Sequence, residues 1–377
     1  MHLWHQKPRP GQLPGGVISG VDQVCFVVHD LDRALDGMTR LLGVGPFKVW
    51  TLAAPTLFDT TLADQPTPWS MRLGVALVGG VQWEVIQPLT GATSHREHLE
   101  TRYEGLHHLL VENRGHSFEA ARDTLAALGH PLVQTARLNL PLQLGPLTVP
   151  AAPELLATKL STYLGYTDTH ATLGTTLELA RFPPGVSRPL GVRIGKPDAW
   201  RPADASNITA RLDNGVLDRV VKLGFISADA EASVRAWLRV GVGPWLFAEL
   251  GAADLGTISV AAGSRIRVGW CLLGSTLLEI VEPVAGDTPH GRWLAESGPG
   301  LHVLGVKSDT LALPELLAYL RARGLPVLLE GVLHGGFEFA VIDAREACAG
   351  LLELVQLDAE PLWAELQRLP GVRWINP

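Results

Sequence analysis

The sequence predicts an α+β protein of two tandem domains, each made of two βαβββ modules forming an open, U-shaped mixed sheet. Three observations carry this reading: landmarks that recur in one order, matching intervals between them, and a strand–helix–strands rhythm that runs twice within each copy. "QVCFVVHDLDRAL" (Gln23–Leu35) returns as "KLGFISADAEASV" (Lys222–Val234), and "LLGVGPF" (Leu41–Phe47) as "RVGVGPW" (Arg239–Trp245). "WEVIQP" (Trp83–Pro88) returns as "LEIVEP" (Leu278–Pro283), "EGLHHLLVE" as "GPGLHVLGVKSD" (Gly298–Asp309), and "TTLELARFP" (Thr175–Pro183) as "GLLELVQLD" (Gly350–Asp358). Gln23 to Glu84 spans 61 residues and Lys222 to Glu279 spans 57; Glu84 to His108 and Glu279 to Val303 both span 24. Only the last interval differs, 70 from His108 to Glu178 against 50 from Val303 to Glu353. The first copy therefore carries extra residues, which we place around "LNLPLQLGPLTVPAAPELLATK".

The elements follow in order. "GVDQVCFVV" reads as a strand, Asp30 as the N-cap of a helix over "LDRALDGMTRLL", and Gly43 as its end, with Pro46 forbidding a return. "PFKVWTL", "SMRLGVALVGG" and "VQWEVIQP" read as three further strands. The second module restarts at "GLHHLLVE", passes through the helical "SFEAARDTLAALG" and returns to strands. We divide the chain into an N-terminal tail (1–16), a first domain (17–184), a Pro- and Gly-rich linker (185–216), a second domain (217–360) and a C-terminal segment (361–377).

Composition narrows the function classes. The 377 residues are 46 % hydrophobic and 18 % charged, with a formal net charge of −7, so no broad basic face for nucleic acid is expected. A local basic pocket for an anionic substrate stays possible. Cys25, Cys271 and Cys348 lie far apart without a CxxC spacing, which points to a reducing compartment. The N-terminus lacks the apolar core of a secretory signal, and no apolar run reaches membrane-spanning length. We expect a cytoplasmic protein, monomer or homodimer, whose partner is a small molecule rather than nucleic acid or a membrane.

The first and last strands of the two modules in the first copy offer Gln23, Glu84, His108 and Glu178, each a polar residue amid apolar strand neighbours. Burying two carboxylates without a partner costs several kcal/mol each by general estimates, on the order of the penalty for any unpaired internal charge. A divalent metal compensates them, and a mixed Glu, Gln and His set suits Zn, Ni, Co, Fe or Mn, one per chain. Singly, each residue has an ordinary reading: Gln23 as a polar edge residue, Glu84 paired with Arg72 or Arg102, His108 as a core histidine, Glu178 held by backbone N–H groups. Jointly, at equivalent module positions, they point to a metal. His107, next to His108 on the same strand, is expected to face the other way. His95, His98, His116 and His130 are expected to be solvated, and "HREH" (His95–His98) is not a zinc-protease motif. The second copy offers Lys222, Glu279, Val303 and Glu353, where a Lys222 ammonium can pair with the acids; no metal is expected there.

The βαβββ modules, the "GVGPF" turn, the "EVIQP" strand and the "GLHH" restart resemble the vicinal oxygen chelate superfamily (glyoxalase, bleomycin resistance, extradiol dioxygenase), as a tandem-domain member. The wording is similar to the methylmalonyl-CoA epimerase branch, and the Gln/Glu/His/Glu set to glyoxalase I. Gln23 departs from the histidine usual in the first branch, and the glutathione-contact wording of the second is absent. The resemblance implies metal ligands at Gln23, Glu84, His108 and Glu178. It implies a metal-dependent epimerase or isomerase acting beside a carbonyl through a metal-stabilised enolate, with Glu178 as first base and Glu84 returning the proton. Two alternatives stand beside it: a non-catalytic, ligand-sequestering protein of bleomycin-resistance type, and a glyoxalase I-type lyase.

Overall fold

A computed structural model describes residues 10–186, 195–202, 216–252, 254, 263–333 and 336–377. The first half runs β1 (Gly20–Val27), α1 (Leu31–Leu42), β2 (Phe47–Leu52), β3 (Leu57–Leu62), β4 (Gln65–Pro66), β5 (Ser70–Val78), β6 (Val81–Thr90) and α2 (Ser94–Thr101). It continues with β7 (Gly105–Glu112), α3 (Phe118–Ala127), β8 (Leu132–Leu138), β9 (Leu142–Leu144), β10 (Leu147–Val149), α4 (Glu154–Leu160), β11 (Thr162–Thr167), α5 (His170–Leu173), β12 (Thr176–Arg181) and β13 (Ala199–Arg201). The second half runs β14 (Arg219–Ile226), α6 (Ala230–Arg239), β15 (Trp245–Gly251), β16 (Arg265–Leu273), β17 (Thr276–Ala285), α7 (Pro289–Ser297) and β18 (Gly300–Lys307). It closes with α8 (Leu313–Arg321), β19 (Val327–Leu333), β20 (Phe337–Ala344), α9 (Arg345–Cys348), β21 (Gly350–Val355), α10 (Ala359–Leu366) and β22 (Arg373–Ile375).

Local chemistry places these elements. Asp30 sits in extended backbone and its carboxylate accepts the Arg33 N–H, so β1 gives way to α1 at that residue. Gly43 ends α1 at φ +65°, a left-handed turn that glycine adopts without strain. Asp229 caps α6 in the same way, accepting from the Ala232 N–H. Helix α1 turns Leu31, Ala34, Leu35, Met38 and Leu42 into the core.

In this α+β fold the strands form two large mixed sheets, one per half, beside a two-stranded β9–β10 sheet. The first has the order β13-β2-β5-β6-β1-β7-β12-β11-β8-β3-β4, the second β19-β20-β21-β18-β14-β17-β16-β15-β22. In each, the modules meet at their first strands, β1 against β7 and β14 against β18, both antiparallel. The last strand of each module runs parallel to the first: β6 to β1, β12 to β7, β17 to β14 and β21 to β18. Successive modules therefore pair within their own copy. The extra residues of the first copy form the β9–β10 hairpin and α4. Within the segment expected as a linker, Ala199–Arg201 adds edge strand β13 to the first sheet, and the C-terminal segment supplies β22 to the second. The rest of that linker, 187–194 and 203–215, lies outside the described residues.

Strand β3 pairs with β8, at the opposite edge of the sheet from β2, although four residues separate β2 from β3. The end of β2 and the start of β3 therefore stand at most about 17 Å apart, and the U is nearly closed. Its inner face holds Trp50, Trp69, Met71, Leu73 and Ile86. In the second domain α10 enters the concavity, with Leu362 and Leu366 against Leu246, Val268 and Leu277.

The halves pack reciprocally. Leu301 donates its N–H to Gly174 O at 2.8 Å, next to Gly300; Gly105, the equivalent of Gly300, lies against the backbone of Ala349, the counterpart of Gly174. Helix α1 packs on α9, and α6 packs on α5. One apolar cluster runs through both halves, from Val24 and Leu35 to Leu304 and Ala347. Among the described residues no helix is long and apolar enough to cross a membrane.

Candidate metal centre in the first domain

The four central strands of the first sheet, in order β6-β1-β7-β12, carry Glu84, Gln23, His108 and Glu178. The structure brings all four together. His108 Nε2 lies 3.2 Å from Glu84 Oε2 and 3.2 Å from Glu178 Oε2. Gln23 Nε2 lies 2.8 Å from Glu84 Oε2, 3.3 Å from Glu178 Oε2 and 3.4 Å from His108 Nε2. None of the four is more than 8 % exposed, so bulk water does not serve the two acids.

These separations suit atoms arranged around a small cation: ligands about 2.1 Å from a metal stand roughly 3.0–3.4 Å apart. Two carboxylates, an imidazole and an amide are donors that first-row divalent metals accept. Gln23 here turns its N–H group to the acids, and its Oε1 accepts from Gln82 Nε2 at 2.5 Å. A half-turn of the amide exchanges the two ends and would turn Oε1 toward a cation. Cys25, Glu84 and His108 also hold ligating atoms within 4.8 Å of one another. We favour the carboxylates over Cys25, because burial pushes its thiol far above the usual range and the neutral thiol is a poor ligand.

Charge explains how the acids are held. Burial lowers the basicity of His108, but the surrounding groups outweigh it and hold the ring well above its usual range. The Cys25 thiol being neutral, the charges that retain the proton are those of Glu84 and Glu178. Burial raises Glu178, against the pull of His108, with Glu84 adding to the rise. Tyr166 stands directly across from Glu178 in the β11–β12 ladder, and its phenol works against the rise of the Glu178 carboxyl.

Two expectations from the sequence are corrected. His107 does not face away. Cys25 pairs with His108 and Phe26 with Leu106, so His107 is the extra residue of a β-bulge. The bulge breaks the alternation and sets His107 Nδ1 3.0 Å from His108 Nδ1. His95, His98 and His130 are not solvated: they are 1 %, 5 % and 9 % exposed. His95 and His98, on α2, pack their rings 4.9 and 5.0 Å from that of His107. His130 Nδ1 meets Asp168 O at 2.9 Å. Burial holds His95 and His107 well below the imidazole range and takes His98 to about 3, so this cluster is uncharged at neutral pH. Arg72 does not reach Glu84; it pairs with Asp32 at 2.8 Å. Arg102 donates instead to Pro299 O at 3.3 Å.

The missed residues had faint signals. Gln82 and Cys25 share strand faces with Glu84 and Gln23. The internal repeat flags His95 and His107, since His290 and His302 occupy the same places in the second copy. Tyr166 becomes visible only once the β11–β12 register is known.

In the second domain an ammonium stands between the equivalent acids. Lys222 Nζ lies 2.7 Å from Glu279 Oε1 and 2.6 Å from Glu353 Oε2. Burial alone would lower Lys222, but the two acids raise it above its usual range. Val303 fills the place of His108, against Gly224, where any Cβ would stand 2.2 Å from the Val303 side chain.

Residues 22–138 match the family described as Glyoxalase/Bleomycin resistance protein/Dioxygenase superfamily. Among solved structures, a 4-hydroxymandelate synthase variant from Streptomyces coelicolor aligns over 92 % of this chain and 96 % of its own, with 13 % identity and a TM-score of 0.53. That likeness is one of two-domain fold. Methylmalonyl-CoA epimerase from Mycobacterium tuberculosis aligns with 40 % of this chain and 96 % of its own, at 18 % identity and a TM-score of 0.31. A Streptomyces coelicolor variant of that epimerase gives 37 % and 94 %, at 22 % identity and a TM-score of 0.30. Among curated proteins none matches this chain.

Proposed function

We propose that this chain, a member of the glyoxalase/bleomycin resistance protein/dioxygenase superfamily, is a metal-dependent epimerase or isomerase acting, in its first domain, on a carbon beside a carbonyl. The observation that carries the reading is a pair of buried carboxylates, Glu84 and Glu178, each 3.2 Å from one imidazole nitrogen. A divalent metal held by His108, Glu84, Glu178 and Gln23 would supply polarisation of a substrate carbonyl there.

The chain's own groups then account for the proton. Glu178 takes it from the carbon, since burial raises its affinity for a proton toward that of a useful base. Tyr166, across the β11–β12 ladder from Glu178, is the neighbour placed to orient the carboxylate. Glu84, from strand β6 on the other side of β1 and β7, returns a proton to the opposite face of the carbon, which is inversion. Trp50, Trp69 and Met71 line the inner face and exclude water. An acyl thioester or a keto-sugar fits this chemistry equally.

The test is metal content and proton exchange on protein purified without a metal-affinity tag. Wild type should hold about one transition metal per chain, and His108→Ala should lose it. Screened against acyl thioesters and keto-sugars in deuterated solvent, wild type should wash deuterium into the carbon beside the carbonyl, and Glu178→Gln should slow that exchange about a hundredfold or more. Full metal content in His108→Ala would remove the site. Exchange unchanged in Glu178→Gln would remove the base.

A further inference from the structure

The second domain has lost the donor set of the first but keeps a concave interior whose polar floor is not charge-balanced. Lys222 brings one positive charge to two acids. Glu279 is fully engaged, Oε1 by Lys222 at 2.7 Å and Oε2 by the Trp270 indole N–H at 2.8 Å. Glu353 meets Lys222 through Oε2 alone; among the described residues its Oε1 has no hydrogen-bond partner. Glu353 is 8 % exposed, and burial holds it above the usual carboxylate range.

A cavity of about 210 Å³ opens beside this acid, and a second lobe of about 70 Å³ shares Glu279, His290 and Glu353 with it. Its walls include Trp293, Val303, Leu329 and Val341. No other charge on the wall compensates Glu353. His290 and His302 are taken to about 4 and about 3 by burial and are neutral at physiological pH. Arg292 and Arg345 at the rim are already paired, with Asp287 at 2.6 Å and Asp343 at 2.5 Å. An apolar cavity of roughly 150 Å³ holds a benzene ring, so this one takes a single ring with a short chain. A ligand that fills it and gives Glu353 a positively charged hydrogen-bond donor makes the stronger, charge-assisted bond and supplies the missing positive charge.

We propose that the second domain is a binding site for a small primary amine with an apolar body about one ring in size, its ammonium hydrogen-bonded to Glu353. This lies beyond the first-domain chemistry and does not depend on it.

Phenethylamine, phenylacetate and ethylbenzene share a body and differ in charge. Each is titrated into the metal-stripped full-length protein by calorimetry, with intrinsic fluorescence as a second readout because Trp270 and Trp293 line the two lobes. Phenethylamine should bind at least about tenfold more tightly than the other two, the worth of one charge-assisted hydrogen bond. Glu353→Gln leaves Lys222 paired with Glu279, so the fold should persist, as a melting curve checks. That variant should weaken phenethylamine about tenfold or more and leave ethylbenzene unchanged. Leu328→Trp, at a rim position already 43 % exposed, should narrow the mouth and weaken all three probes. His108→Ala should leave phenethylamine binding unchanged. The proposal is overturned if phenylacetate or ethylbenzene binds as well as phenethylamine, or if none of the three binds. It is equally overturned if Glu353→Gln or Leu328→Trp has no effect on the amine, or if His108→Ala abolishes its binding, which would place it in the first domain.

Discussion

His107 and His108 share one site although alternation on a regular strand would separate them. When His108 Nε2 offers its lone pair to a cation, the ring proton sits on Nδ1, and His107 Nδ1, 3.0 Å away, is the acceptor that keeps it there. His107→Phe preserves the ring packed between His95 and His98 but removes that acceptor. We expect metal affinity to fall about 10- to 100-fold, measured by competition with a chelator, with the fold intact. Equal affinity in the variant would show that the bulge histidine does not hold the tautomer. The second copy gives the matching experiment on charge. Lys222→Met leaves Glu279 and Glu353 buried without their ammonium and should cost about 3–5 kcal/mol in denaturant unfolding. Adding Glu279→Gln and Glu353→Gln should recover most of that loss; no recovery would mean the lysine stabilises by packing. At this scale the four donors were legible because the duplication supplies its own control: the same offsets that read Gln23, Glu84, His108 and Glu178 read Lys222, Glu279, Val303 and Glu353. The bulge was not legible. It is a one-residue slip against β1, set by pairing and not by residue type.

Helix α1 shows how an element joins two domains. Gly37 lies in its middle, where alanine ordinarily stabilises a helix by about 1 kcal/mol. Yet a Cβ there would stand 2.6 Å from Ala347 O and 2.8 Å from its Cα, backbone atoms of α9 in the other half. The clash should win, so Gly37→Ala is expected to destabilise by about 1–3 kcal/mol, read from chemical unfolding. A stabilised variant would show that the helices shift apart freely. The cap Asp30, the stop at Gly43 and the inserted β9–β10–α4 were readable, because capping chemistry and interval lengths are local. The passage of β3 to the far edge, and of α10 into the second concavity, were not. Both depend on which surfaces remain uncovered after the sheet curls, a question that neighbours in sequence do not answer.

Across the whole chain, the reciprocal contacts of Gly105 with Ala349 and Gly174 with Gly300 relate the copies as an isologous interface relates two subunits. The tandem repeat announced two copies; that they close on each other could only follow from the packed structure. The consequence is thermodynamic. Because one apolar cluster includes Leu35 and Met38 of the first half and Leu304 and Ala347 of the second, neither half can unfold without stripping the other's core. A ligand binding only the native state then stabilises both. A divalent metal at a hundred times its dissociation constant contributes about 2.7 kcal/mol. We expect that gain in the slowest-exchanging amides of β18 in the second domain as well as in those of β7, although of these two strands only β7 carries one of the proposed metal ligands. Protection confined to β7 would mean that the halves open independently and that the shared core is not one cooperative unit.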